Sequence, residues 1–146
     1  MYNALHHTHS GLRWIVLLLI VFAVFNAFSK WRFGKAYSRM DKMLNLFAMV
    51  FFHLQFAVGL ILYFVSPKVL FGNGMMENPF RFYTVEHFFM MTAAMIVITI
   101  GRKRAEKAER DAAQHRKLFI WYTVALLLIL AAIPWPFRTE LGGSWF

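Results

Sequence analysis

Four stretches of this chain stay apolar long enough to cross a bilayer, and the polar residues collect between them. The segment "GLRWIVLLLIVFAVFNAFSKW" carries no charge from Trp14 to Ser29, and none occurs between Lys42 and Lys68. A third stretch runs from about Phe80 to Ile100, with Arg81 at its mouth and Glu86 and His87 inside it. A fourth runs from about Leu118 to Phe137 and closes on "PWP". Each approaches the roughly 20 residues that a membrane-crossing helix needs. Pro134 cannot continue a helix without losing a hydrogen bond, so it marks an end or a kink. The pattern predicts an all-α fold, a four-helix transmembrane bundle. Its spans are placed at about 11–30, 43–66, 80–101 and 115–136, within one membrane domain covering residues 1–146.

Composition strengthens that reading. Of the 146 residues, 60% are hydrophobic and 18% aromatic, well above the apolar share of a soluble domain. There is no cysteine, which removes disulfides and thiolate-bound metals or clusters. The formal charge of +9 would suggest nucleic acid in a soluble protein, but its distribution points elsewhere. Twelve of the 16 Lys and Arg residues fall in two links, "KWRFGKAYSRMDK" between spans one and two and "GRKRAEKAERDAAQHRK" between spans three and four. Both links lie on one face, and the positive-inside rule makes that face cytoplasmic, with both termini on the outer, periplasmic face of a bacterial inner membrane. Membrane lipid, with anionic headgroups at the links, is the expected partner, and nucleic acid is not. Trp14, Trp31, Trp121 and Trp135 stand near the boundaries, as an aromatic belt would. "MYNALHHTHSGLRW" lacks the basic start and small-residue cleavage site of a cleaved signal peptide, and the second link is expected to extend helix three or four beyond the membrane.

Histidine is the unusual feature. His6, His7 and His9 precede span one, His53 lies inside span two, His87 inside span three and His115 just before span four. Imidazole is costly at membrane depth unless partnered. One such histidine is accounted for by a hydrogen bond to a neighbouring helix; two, with a histidine available to every span, favour a shared ligand. Heme suits the remaining inventory, because imidazole binds its iron axially and the macrocycle takes an aromatic and aliphatic pocket. Phe51, Phe52, Phe56, Phe88, Phe89, Met90 and Met91 flank the deep histidines. Arg13, Arg81 and Arg138 are placed for propionates. At about 1.5 Å per residue, His9 lies near the outer surface, His87 ~10 Å down, His53 ~20 Å down, and His115 near the inner face. Pairing His9 with His87 and His53 with His115 gives two hemes stacked across the membrane, while pairing His53 with His87 gives one.

Other polar residues have two readings each. Glu86 either pairs with Arg13 or Arg81 or carries protons. Gln55 and Asn26 either bond across helices or contact a quinone. Gly59 either permits close helix contact or clears room for a macrocycle face. The "HHTH" run raises a metal site at His7 and His9, but on a helix positions i and i+2 diverge by about 200°, and a zinc enzyme also needs a third ligand and a base.

"HTHSGLRW", "HLQFAVGLILYFVSP", "FYTVEHFFMM", "ITIGRKRAEKAERDAAQHRK" and "IPWPFR" together resemble a family of small four-span inner-membrane proteins of Bacteroidota-type bacteria labelled "cytochrome B". The resemblance implies a b-type heme, one or two per chain, and iron ligands among His9, His53, His87 and His115. It also implies electron transfer, either as a membrane carrier or as the heme-bearing anchor of a redox complex, with quinone and other redox subunits as partners. A more distant likeness is to the membrane protoporphyrinogen oxidases, small four-helix proteins with histidines, although this chain has no clear equivalent of their in-membrane lysine. A heme-free accessory or scaffold subunit, its histidines joining helices, is the remaining alternative.

Overall fold

A computed structural model describes residues 1–143 and 145. Among them are four long helices and no strand: α1 (Tyr2–Arg32), α2 (Arg39–Val65), α3 (His87–Glu106) and α4 (Asp111–Ala132). A five-residue π turn, Phe82–Glu86, leads directly into α3, and a short 3-10 turn covers Thr139–Leu141. Each helix, with the π turn counted into the third, is long and apolar enough to cross a membrane, so the chain has the architecture of a multi-pass membrane protein.

The bundle is built inside out. Large apolar side chains such as Leu18, Phe22, Phe25, Leu54, Phe64 and Leu127 face outward, while Ala23, Ala27, Ala48, Ala94, Ala105, Ala125 and Ala132 are fully buried. Without a hydrophobic drive between helices in lipid, association relies on close backbone approach, which small residues allow. Gly101 is the extreme case: a Cβ there would run into the side chain of Trp121 on α4. Accordingly α3 and α4 pack most extensively, α1 packs on both α2 and α4, and the α2–α3 seam is the least packed. This order around the bundle puts α1 and α3 at opposite corners.

Local sequence sets the helix ends. Gly34, at φ +60°, closes α1, with the Lys35 amide reaching the Lys30 carbonyl at 3.0 Å and the Gly34 amide reaching Trp31, the six-to-one and five-to-two pattern of a Schellman end. Ser38 opens α2 through a capping box with Asp41. α4 stops at Ala132, two residues before Pro134, and Trp145 reaches back to α1: its carbonyl accepts from Arg13 at 2.7 Å and from the Trp14 indole at 3.2 Å.

The elements differ from the expected spans in one informative respect. α1 begins at Tyr2 rather than near residue 11, so His6, His7 and His9 lie on the helix, not before it. The Thr8 hydroxyl returns to the Ala4 carbonyl at 2.8 Å, and the extra turns wall a cavity described below. On this helix His7 and His9 point apart, and among the described residues no three His, Cys, Asp or Glu side chains gather closely enough to hold a metal ion.

Candidate functional site

The half of the bundle that bears the two termini contains a cavity of about 140 Å³, the size that takes a single six-membered ring, within a wider cleft. Its walls come from every helix: His9 and Arg13 of α1, Phe52, Gln55 and Gly59 of α2, His87, Phe88 and Met91 of α3, and Ile129 and Ile133 of α4. Tyr2, His6, Lys68 and Tyr83 also line it, toward the N-terminus of α1. Lys68 is held there by donating to the Gly142 carbonyl at 3.0 Å and by lying over the Tyr83 ring at 5.1 Å. Partial burial lowers its ammonium pKa below the ordinary lysine value.

Two imidazoles meet across this space from opposite corners of the bundle. The rings of His9 and His87 have their centres 6.3 Å apart and their planes at 70°. Two imidazoles on opposite sides of one metal, each with a bond of roughly 2 Å, have centres separated by about 6 Å. His87 Nδ1 lies 2.7 Å from the Ala132 carbonyl oxygen. A carbonyl only accepts, so Nδ1 carries the proton and Nε2 keeps its lone pair, the arrangement that prepares a histidine for a metal. His9 is positioned through its backbone: Gln55 Nε2 donates to the His9 carbonyl at 2.8 Å, while His9 Nδ1 and Gln55 Oε1 are buried without a partner. The absence of a side chain at Gly59 makes room for the His9 ring, since a Cβ there would sit 2.9 Å from His9 Cε1. Of the two roles expected for Gly59, this is the close helix contact: the glycine of α2 admits a side chain of α1.

The π turn sets up the other side. Widening the helix brings residues five apart onto one face, and Arg81 Nε accordingly meets Glu86 Oε1 at 2.8 Å. The Thr84 carbonyl within the turn accepts from the Tyr63 hydroxyl of α2 at 3.0 Å, and the Tyr83 hydroxyl reaches the Leu141 carbonyl at 2.9 Å. His87 follows immediately, so the turn decides where its ring points. Arg138 is engaged by the Phe82 ring at 4.8 Å and by Glu140 at 3.6 Å. Of the three arginines singled out in the sequence, only Arg13 lines the cavity.

His53 and His115 have separate surroundings. His53 Nδ1 donates to the Met49 carbonyl one turn back at 2.7 Å, and its Nε2 meets the Thr99 hydroxyl of α3 at 3.2 Å. His115 is fully buried with neither ring nitrogen partnered, and its ring lies 5.2 Å from that of Tyr37. The structure therefore brings His9 and His87 together, whereas His53 and His115 each face other groups.

A polar cluster at the α1–α2 link end of the bundle escaped the sequence reading. Asp41, buried at 2% exposure, accepts from Asn26 at 2.6 Å, Lys30 at 2.7 Å and the Ser38 hydroxyl at 2.7 Å. The Asn45 side chain donates to the Asp41 carbonyl at 2.7 Å, and Tyr122 of α4 donates to the Asn45 carbonyl at 2.9 Å. Asn26 thus serves a helix contact. The spacing of Ser38 and Asp41, the [Ser/Thr]-x-x-[Asp/Glu] form of a capping box, was the available signal. Comparison of the chain with protein-family models, with curated proteins and with solved structures returns no match in any of the three.

Proposed function

We propose that this chain is a membrane electron carrier that holds a b-type heme between His9 of α1 and His87 of α3. In this reading it sits in a bacterial inner membrane with its basic links on the cytoplasmic side. The observation that carries the proposal is the approach of two imidazoles to 6.3 Å from opposite corners of the bundle, one of them with Nδ1 already committed to a backbone carbonyl. The donor set suits heme iron: two neutral nitrogen ligands, an unpartnered buried nitrogen on His9, and a glycine where a side chain would crowd the ring.

Each residue then has a task. His87 and His9 would ligate; the Ala132 carbonyl fixes the tautomer of His87; Gln55 holds the His9 backbone; Phe52, Phe56, Phe88 and Met91 supply an apolar wall, and Arg13 would be the arginine for a propionate. A macrocycle would fill the 140 Å³ cavity and continue into the cleft around it. Bound there, heme supplies one-electron transfer at a potential set by its axial ligands and surroundings. A quinone or a redox subunit at the outer face would exchange electrons with it.

The test is a pyridine-hemochrome measurement, with a reduced-minus-oxidised spectrum, on protein purified in detergent. Wild type is expected to carry b-type heme, His9→Ala and His87→Ala to lose it, and His115→Ala to retain it. A wild-type protein with no b-type bands, or full heme in both the His9 and His87 variants, overturns the proposal and leaves a heme-free scaffold.

A further inference from the structure

A second concavity lies at the other end of the molecule, away from the histidine pair. It is a groove of about 360 Å³ between the last turn of α1 and the first turns of α4. Arg110, Arg116 and Lys117 stand around it, Ala112 and Ala113 keep part of its wall low, and Trp31 and Ile120 supply its apolar side. Among the described residues no carboxylate lines it; Glu109 and Asp111, the nearest acids along the chain, are exposed and outside its wall.

The constituents separate by chemistry. Three cations within eight residues of one helix start line a mostly apolar groove with their stems, and their charge suits a monoanionic phosphodiester, which arginine can grip with two parallel hydrogen bonds. The apolar side continues into surface that faces lipid, since Ile120 is 45% exposed and Val124, one turn along, 44%. Trp31 is held in place by stacking on Phe119, with ring centres 5.9 Å apart. A soluble phosphate would use only the cations. A phospholipid uses both parts, its phosphate among the cations and its acyl chain along Ile120 and Val124. The groove opens at the end of the bundle bearing the two basic links, at the level where headgroups lie if the four helices cross a bilayer.

We infer that this groove is a binding site for one anionic phospholipid, its headgroup held by Arg110, Arg116 and Lys117 and its chain lying against Trp31 and Ile120. Lys117 also donates to the Arg104 carbonyl at the end of α3, at 3.3 Å, so an occupied groove would tie the α3–α4 link to the inner end of α1. The inference is independent of heme binding.

The experiment compares three forms of the full chain: wild type, the triple variant Arg110→Gln/Arg116→Gln/Lys117→Gln, and a control triple Lys35→Gln/Arg39→Gln/Lys103→Gln. The control makes the same charge change with exposed residues on the same face. Native mass spectrometry and thermal unfolding in detergent are read with added phosphatidylglycerol, phosphatidylcholine or inorganic phosphate. Wild type and control are expected to retain phosphatidylglycerol and gain thermal stability from it. The groove variant is expected to bind it roughly 100-fold more weakly, from about fivefold for each of the three cations removed. Equal retention of phosphatidylcholine, equal stabilisation by inorganic phosphate, unchanged binding in the groove variant, or an equal loss in the control would each overturn the site.

Discussion

Replacing Gly59 with alanine separates the stability of the bundle from the integrity of its histidine site. The added methyl would lie 2.9 Å from His9 Cε1 and 3.5 Å from Nδ1, where carbon atoms ordinarily keep about 3.5–4.0 Å. The ring must therefore retreat by roughly 0.6–1 Å, and the Gln55 bond to the His9 carbonyl keeps the backbone from moving with it. Overpacking of this kind costs about 1–3 kcal/mol. Alanine in place of glycine inside a helix returns about 1 kcal/mol, so the net loss of fold stability is about 0–2 kcal/mol. The site has no such compensation, because the ring that moves is the proposed ligand. Disturbing the groups that orient a metal ligand typically lowers affinity about 10–100-fold, and a loss of that size is expected here. Hemochrome titration of the Gly59→Ala protein measures it, with thermal unfolding of the heme-free form as the stability control. Unaltered heme affinity and an unaltered low-temperature paramagnetic resonance spectrum would show that the Gly59–His9 contact does not govern the site.

Three further substitutions probe the supports of the bundle. Gln55→Leu removes the α1–α2 bond to the His9 carbonyl and is expected to lower unfolding stability in detergent by about 0.6–1.7 kcal/mol, with a larger relative effect on heme content than on stability; equal proportional losses would refute its positioning role. Asp41→Ala strips the shared acceptor from Lys30, Asn26 and Ser38 and is expected to cost about 3 kcal/mol, since the partners are left without it; a loss under about 1 kcal/mol on a calibrated denaturation curve would contradict that. Arg81→Gln breaks an ion pair whose members are both more than a third exposed, so the change should stay below about 1 kcal/mol, as a thermal melt will show.

The four helices were legible because uncharged runs of 15 to 25 residues have few alternatives, and the end of the fourth because of Pro134, whereas the end signals at Gly34 and Ser38 went unread. The early start of α1 was not legible. "NALHHTHSG" has no apolar run, and its helix is supported by packing around the cavity, which no local pattern announces. The π turn was equally invisible: nothing in "FYTVE" demands an extra residue per turn, yet it brings Arg81 to Glu86 and orients His87. Depth counting placed His9 and His87 on neighbouring levels but could not say which rings converge, because that depends on which helices stand at opposite corners. It also put His115 near the inner face without revealing that the ring would be wholly enclosed. Asp41 was passed over as a link residue, although its spacing from Ser38 was there to be read.

The corner positions of α1 and α3 have a mechanical meaning. A four-sided frame joined only along its edges shears easily, and here the edge between α2 and α3 is the weakest joint. A molecule gripped by both His9 and His87 would be the diagonal strut such a frame lacks. Rigidity would then arrive with the ligand instead of preceding it, and the melting temperature should climb with ligand concentration.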